Sequence, residues 1–508
     1  MPLRIFEKSF AILNIFFVFY YIFTFTEGVS MTPSTVTYLL LFFMLMFFNY
    51  RLEGMKIQSL IYLIAHPLLV YGDLAEDDQT KGMSIGFFIA VCITAMTLVL
   101  FFSPSNNVPI KGKSDTGFKD VLIGDKAGDR PIRLSVFYPT KKKGGFKVGS
   151  NKPNRPFWAP DGENTVRGMF NNARFSSNIF NFLKYSEMDC DRDGELDEEY
   201  KDRKMPVVIF SHGIRGHRNI ASGLLRELAS QGFVVYSLDH NDGTSASTLD
   251  EKTNEINYYQ QEDMTDLNLW KERIEVRYEE VKDVLNHIHS VPKDVSGDIE
   301  YDLDRVIMIG HGFGGCTALL SCQREPRRIS HCVMLDPWLF VLYREIIDNG
   351  FSIPQVMLAV NSEEYHPMVE GFDSWETLQY LFHNANAMED LNVMIEKTGH
   401  LFQTDVLSLA PLEFKMWTER NPSVEVVEMY ELGNKVVMKW LKDYGFPDIN
   451  ITPHTQIDEY YEKQYVKILN KPQEPSTGES SQTNSLDDED NNETAIEDST
   501  RIEEDQKT

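Results

Sequence analysis

Cysteine is scarce in this chain, with five residues in 508, at positions 92, 190, 316, 322 and 332. Their number is odd and no two form a C-x-x-C pair. That excludes a disulfide framework and the usual zinc-site spacings, and it fits a reducing compartment. Positive charge is scarce too: 49 Lys and Arg stand against 76 Asp and Glu, a formal net charge of −27. Nucleic-acid phosphates would be repelled by that balance, so nucleic acid is excluded as a partner. Much of the deficit lies at the end, where residues 474–508 hold twelve acids against Arg501 and Lys507 and no aromatic side chain. Such a segment cannot bury enough surface to offset its ordering entropy, and a disordered acidic tail is expected over 466–508. It reads either as a solubilising tail or as an acidic docking segment.

Apolar residues, by contrast, crowd the start. Runs occupy about 9–26, 35–50, 57–71 and 84–103, with short polar turns between them. The first and last reach the roughly 20 residues that span a hydrocarbon core, and the middle two are shorter. The charges between them alternate: Arg4 and Lys8, Arg51 and Lys56, and Lys111 and Lys113 flank one side, while Glu27 and the acids from Asp73 to Asp78 flank the other. The expectation is a membrane domain over 1–110 with about four transmembrane helices, giving a multi-pass integral membrane protein. By the positive-inside rule everything after residue 111 then lies in the cytoplasm, leaving the sequons at Asn450 and Asn492 unused. The competing reading, a soluble helical bundle, would require each helix to keep a polar face.

From about residue 116 the pattern changes to alternating strands and helices. "IRLSVFYP" (132–139), "MPVVIFSHG" (205–213) and "FVVYSLDH" (233–240) read as strands. "IASGLLRELASQG" (220–232) and the long amphipathic 268–291 read as helices. Strands alternating with helices predict an α/β fold, a mostly parallel sheet covered on both faces, spanning about 111–465.

In "DRVIMIGHGFGGCTALL" (304–320) a β-branched run meets a glycine-rich turn and then a helical pattern. That is the frame of a G-x-S-x-G nucleophile elbow, in which a strand-to-helix turn lifts a serine above the sheet. The outer glycines stand at Gly310 and Gly314, but the centre is Gly312. Three further stretches accompany it in order: "FSHGIRGHRNIASGLLRELASQGFVVYSLDHNDGTSAST", "VMLDPWLFVL" and "TGHLFQTDV". Over roughly 120–445 the chain thereby resembles the platelet-activating-factor acetylhydrolases, lipid esterases of the α/β-hydrolase fold. The resemblance implies that Gly312 occupies the nucleophile's place. It assigns Asp336 of "LDPW" and His400 of "GHLFQTD" to the family's catalytic aspartate and histidine, and the main-chain N–H groups of Ile214 and Phe313 to the oxyanion hole. The order elbow, Asp, His is the one this fold uses.

His212 and His311 read as structural neighbours of tight backbone, Ser211 as a strand-end residue, and Cys316 as pointing into the helix–sheet interface. No substitute nucleophile is visible. Glycine reaches an elbow's strained φ and ψ freely, so the turn survives while the attacking oxygen is gone. Two functional readings result: a pseudoenzyme that keeps a pocket for a phospholipid or other ester lipid, and an active sn-2 ester hydrolase working through His400, Asp336 and water. Either would meet its lipid at a bilayer, and neither calls for a cofactor.

One stretch stands apart. "DCDRDGELDEEY" (189–200), in an acidic insertion near 187–203, resembles the start of an EF-hand loop, with Asp189, Asp191, Asp193 and Asp197 in ligand-like places. Its twelfth position is Tyr200 rather than a bidentate glutamate. It reads as a solvated insertion or as a weak calcium site.

Overall fold

The computed structural model describes residues 32–48, 77–101, 108–124, 131–142, 154–171, 177–250, 253–290, 299–364, 372–385, 389–409, 426–447 and 465–469, together with a few positions before 21 and Tyr71. A ten-stranded sheet organises them, in the order β12-β11-β10-β9-β8-β4-β5-β2-β1-β3. Its parallel centre is β4 (Lys204–Ser211), β5 (Val234–Leu238), β8 (Glu300–His311), β9 (His331–Leu335), β10 (Val356–Ser362) and β11 (Leu391–Ile395). β1 (Asp115–Ile123) and β2 (Ile132–Thr140) extend it antiparallel beyond β5, and the two-residue β3 (Asp191–Arg192) pairs parallel to β1. A separate hairpin joins β6 (Ser247–Asp250) to β7 (Glu255–Tyr258). β12 (Val466–Ile468) adds an antiparallel edge to β11 at the start of the expected tail. The rest of the expected tail lies outside the described residues.

The central strands are continuous apolar runs because both faces are covered. Pro206 interrupts one of them. Lacking an N–H, it cannot donate to the ladder, and the pairing of β4 with β8 shifts register between Pro206 and Val207.

Four helices pack around the site: α3 (Ser222–Ser230), α4 (Leu267–Ser290), α5 (Phe313–Arg324) and α6 (Val426–Trp440), after two near the start, α1 (Thr32–Phe48) and α2 (Asp78–Phe101). Trp270, Ile274, Val281, Val284, Leu285 and Ile288 form the apolar stripe of α4 at helical spacing and bury in the core on one sheet face. Leu224, Leu225 and Leu228 of α3 and Met429, Leu432 and Val437 of α6 build the core on the other.

The expected multi-pass membrane protein is not found: among the described residues no helix is long and apolar enough to cross a membrane. Helix α1 has 17 residues, short of the roughly 20 needed. The expected span at 57–71 lies almost wholly, and that at 9–26 mostly, outside the described residues. The cytoplasmic placement rested on these spans and is withdrawn with them.

The turn after β8 is exceptionally close-packed. A Cβ on Gly310 would lie 1.9 Å from the Gly314 carbonyl oxygen, and one on Gly314 would lie 2.0 Å from the Ser211 carbonyl oxygen. Both neighbours are main chain and cannot swing aside. Gly314→Ala should therefore cost at least about 3 kcal/mol, at the upper end of ordinary overpacking, or prevent folding. Urea denaturation of the variant beside the parent chain measures this.

Candidate functional site

Strand β8 ends at His311 and helix α5 begins at Phe313, so Gly312 alone makes the turn, at φ 57° and ψ −119°. A non-glycine residue would be strained there. The turn is held from three sides: the Gly312 N–H donates to Leu335 O (2.9 Å), and Gly312 O accepts from the N–H of Gly315 (2.9 Å) and of Trp338 (3.0 Å). Below it Phe313 meets Trp270 and Trp338 edge-on, with ring centroids 5.3 and 5.6 Å away.

The structure brings the two other expected residues to this turn. Asp336 follows β9 with a buried carboxylate and a positive φ of 45°. Its Oδ1 accepts from the Ser362 N–H (2.6 Å) and its Oδ2 from the Ser362 hydroxyl (2.8 Å). His400 Nδ1 lies 3.3 Å from the same Oδ2, and the side chain keeps 29% of its surface exposed. A Cβ built on Gly312 would stand 3.2 Å from His400 Cε1 and 3.3 Å from Nε2. The imidazole edge thus faces the elbow across the space a side chain would fill.

Residues that the sequence pattern did not single out position this pair. Ser362 fixes the carboxylate. His311, read as a structural neighbour of tight backbone, stacks on His400 with centroids 4.1 Å apart and planes at 18°. Burial, and then the charge His400 can carry, hold His311 well below the ordinary histidine range, so it is neutral. Asp405 anchors the loop after His400 to α3, accepting from Trp158 Nε1 (3.1 Å), the Gly223 N–H (2.9 Å) and the Ser222 hydroxyl. The "QTD" motif carried that signal.

The amides of Ile214 and Phe313 have no hydrogen-bond acceptor among the described residues. Both stay available to a ligand oxygen. The loop that carries Ile214 is held from behind by Arg277, which donates to His212 O (2.7 Å), to Asp242 Oδ2 (2.7 Å) and to the Thr244 hydroxyl. Arg277 and Asp242 are fully buried; burial alone would raise the carboxyl of Asp242, but the guanidinium overrides it and holds it at about 2.

Ser211 is no exposed nucleophile either. Its buried hydroxyl lies 2.8 Å from His240 Nε2, and His240 Nδ1 lies 2.7 Å from Glu280 Oε2. Cys316 is buried, and burial pushes its thiol up, far from a reactive thiolate.

His311, Asp336 and His400 bring ligand atoms within 4.8 Å of one another, a possible metal cluster. The stacking argues against an ion as the rings stand. Each nitrogen must aim its in-plane lone pair at a metal about 2.0–2.1 Å away, and two nearly parallel rings cannot both do so. The four aspartates of the 189–200 loop are not brought together. Asp189 pairs with Arg155 (2.7 Å), Asp191 joins β3, Asp193 turns the chain at φ 56°, and Asp197 caps Glu199 and accepts from the Ser114 hydroxyl (2.7 Å).

A strand–turn–helix elbow at the centre of a mostly parallel sheet, with an aspartate after the next strand and a histidine after the last parallel one, is the architecture of an α/β hydrolase. The family described as platelet-activating factor acetylhydrolase, isoform II, matches residues 100–445, and the chain belongs to that family. Platelet-activating factor acetylhydrolases of Canis lupus familiaris and Bos taurus are 31% and 30% identical to it over 185 residues, 32% of this chain. The match spans 41% of the length of each of those relatives. Among solved structures, a ferulic acid esterase from Streptomyces cinnamoneus superposes with a TM-score of 0.51 at 16% identity, over 72% of this chain and 99% of that one. At that identity the likeness shows the fold.

The buried chain behind the site has a pH signature. Burial, and then the charge of Asp242, push the Glu280 carboxyl up to about 8. Burial, and then Arg277, hold His240 well below the ordinary 6.5. Between about pH 6.5 and 8 the folded chain holds a proton on Glu280 that the unfolded chain has lost, so stability falls as pH rises through that window. His240 acts with the opposite sign, but only below it. Glu280→Gln copies the neutral carboxyl and should remove a loss on the order of 1–2 kcal/mol between about pH 6.5 and 8. Denaturant titrations of parent and variant at the two ends of the window test this.

Proposed function

We propose that this chain is a catalytically impaired relative of the platelet-activating factor acetylhydrolases that keeps the site for a phospholipid or other ester lipid and has lost turnover. The observation that carries the reading is Gly312 at the elbow with His400 Nε2 3.3 Å from where its Cβ would stand. In the resemblance to the family that place belongs to a serine. An acyl-enzyme needs that oxygen, and no other nucleophile stands at the turn. Asp336, Ser362 and the two unspent amides remain in position, so the loss is confined to one side chain. Without the nucleophile only the residual catalysis of oxyanion hole and binding is left, about 10³–10⁴ over water.

A second reading keeps the enzyme active: His400, paired with Asp336, deprotonates a water that attacks the ester directly. The intact His–Asp contact at 3.3 Å is what favours it. The two readings part on the parent chain. The first expects no labelling by fluorophosphonates and background hydrolysis of short-chain phospholipid esters. The second expects turnover that His400→Ala abolishes.

Gly312→Ser should restore labelling and raise ester hydrolysis by orders of magnitude, because a triad works as a unit. The new Cβ must displace the His400 imidazole by a few tenths of an ångström, and the positive φ should cost about 1–3 kcal/mol of stability. Robust turnover by the parent chain would overturn the first reading. A folded serine variant that stayed inert would show that the site has drifted beyond catalysis.

A further inference from the structure

We infer that the vacated elbow is a receptor for a free carboxylate, so that the ligand this site holds is a carboxylic acid or its anion rather than an ester. The inference deepens the proposed function and rests on its account of Gly312. It requires donors for both oxygens, and they come from separate elements. One oxygen meets the amides of Ile214, on the loop after β4, and of Phe313, the first residue of α5, neither of which has an acceptor among the described residues. The other meets His400, whose Cε1–Nε2 edge faces the position a Gly312 side chain would take at 3.2–3.3 Å.

Such an oxygen would stand roughly where a serine's would stand in an active relative. A carboxylate supplies two oxygens on one carbon, so it can fill the oxyanion position and the nucleophile's position together. An ester cannot do this equally well. Its second oxygen carries an alkyl group and no charge, and it gains less from the amides and the imidazole, because hydrogen bonds to an ionised acceptor are about twice as strong as neutral ones.

Proton and charge balance without a co-reactant. With Nδ1–H donated to Asp336, His400 Nε2 takes up one proton, the acid's own or, when the anion binds, one from solvent, and shares it with the carboxylate oxygen. The bound state is a carboxylate–imidazolium pair or its neutral equivalent, and no covalent bond forms. Asp336, fixed by both Ser362 donors, steadies the imidazolium from behind. His311 cannot compete for the ligand's charge, since burial keeps it neutral and its ring is stacked on His400. A serine at 312 would put its own oxygen where the second carboxylate oxygen belongs.

Calorimetric titration of the full chain with hexanoate and with methyl hexanoate tests the inference. Hexanoate should bind at least about tenfold more tightly than the ester, the difference expected of a charge-assisted pair. His400→Ala and Gly312→Ser should each lose most of that preference, the first by removing a donor and the second by filling the oxygen's place. Equal binding of acid and ester, no binding of either, or a preference untouched by both variants would each overturn it. The proposed function is judged separately, by ester turnover of the parent chain. If that chain is inert and Gly312→Ser is active, but hexanoate shows no preference, the pseudoenzyme reading stands and the carboxylate receptor falls.

Discussion

The backbone at residue 312 is held at φ 57° and ψ −119°, and its neighbours impose that conformation. Leu335, Gly315 and Trp338 take its N–H and carbonyl, while the near-contacts at Gly310 and Gly314 press strand, turn and helix together. An L-residue in this turn carries strain, and active hydrolases tolerate it for the reactivity of an exposed oxygen. Glycine has no Cβ and bears none. A serine-to-glycine change in such a turn would therefore relax it, whereas glycine in an ordinary core strand would weaken the strand.

A second strained residue sets the opposite example. Asp336 also has a positive φ, 45°, and it is not glycine. Its carboxylate is buried, takes both Ser362 donors and faces His400. Asp and Asn enter the left-handed region more readily than most residues, but the conformation still costs energy. A site with no use for its His–Asp pair would have no need of this strain. That strain is absent at 312 and present at 336 fits a histidine that still meets a ligand.

The parallel centre of the fold was legible because period and punctuation agree there. Apolar runs, closing glycines and amphipathic helices mark β4, α3, β5, α4 and β8 to within a few residues. The resemblance located Asp336 and His400, which local pattern alone could not have joined across 64 positions. The strand at 132–139 is legible, but its antiparallel pairing with β1 and β5, the β6–β7 hairpin and the register shift at Pro206 are not, because an apolar pattern marks a strand without naming its partner. The membrane expectation rested on four apolar runs, and among the described residues no helix is long and apolar enough to cross a membrane. In the acidic 189–200 loop charge spacing carries no information about which aspartates bond to Arg155 or cap a turn. The buried chain behind the oxyanion loop did leave a trace: Arg277 and Glu280 fall within the apolar stripe of α4, where a charge must have a buried partner.

That chain also holds much of the site independently of the residue at the elbow. The Ile214 loop is fixed by Arg277 on His212 O, by Arg215 N–H on Thr244 O and by Ala246 N–H on Gly216 O. The His400 loop is fixed by Asp405 on α3. None of these contacts passes through residue 312. Breaking a fully buried pair such as Arg277–Asp242 would cost about 3–5 kcal/mol, because an uncompensated charge is left inside. Stability therefore preserves the oxyanion amides and the imidazole whether or not a nucleophile sits between them. A hydrolase fold with glycine at its elbow then presents a preorganised set of donors without a nucleophile, which is the physical condition for binding without covalent chemistry.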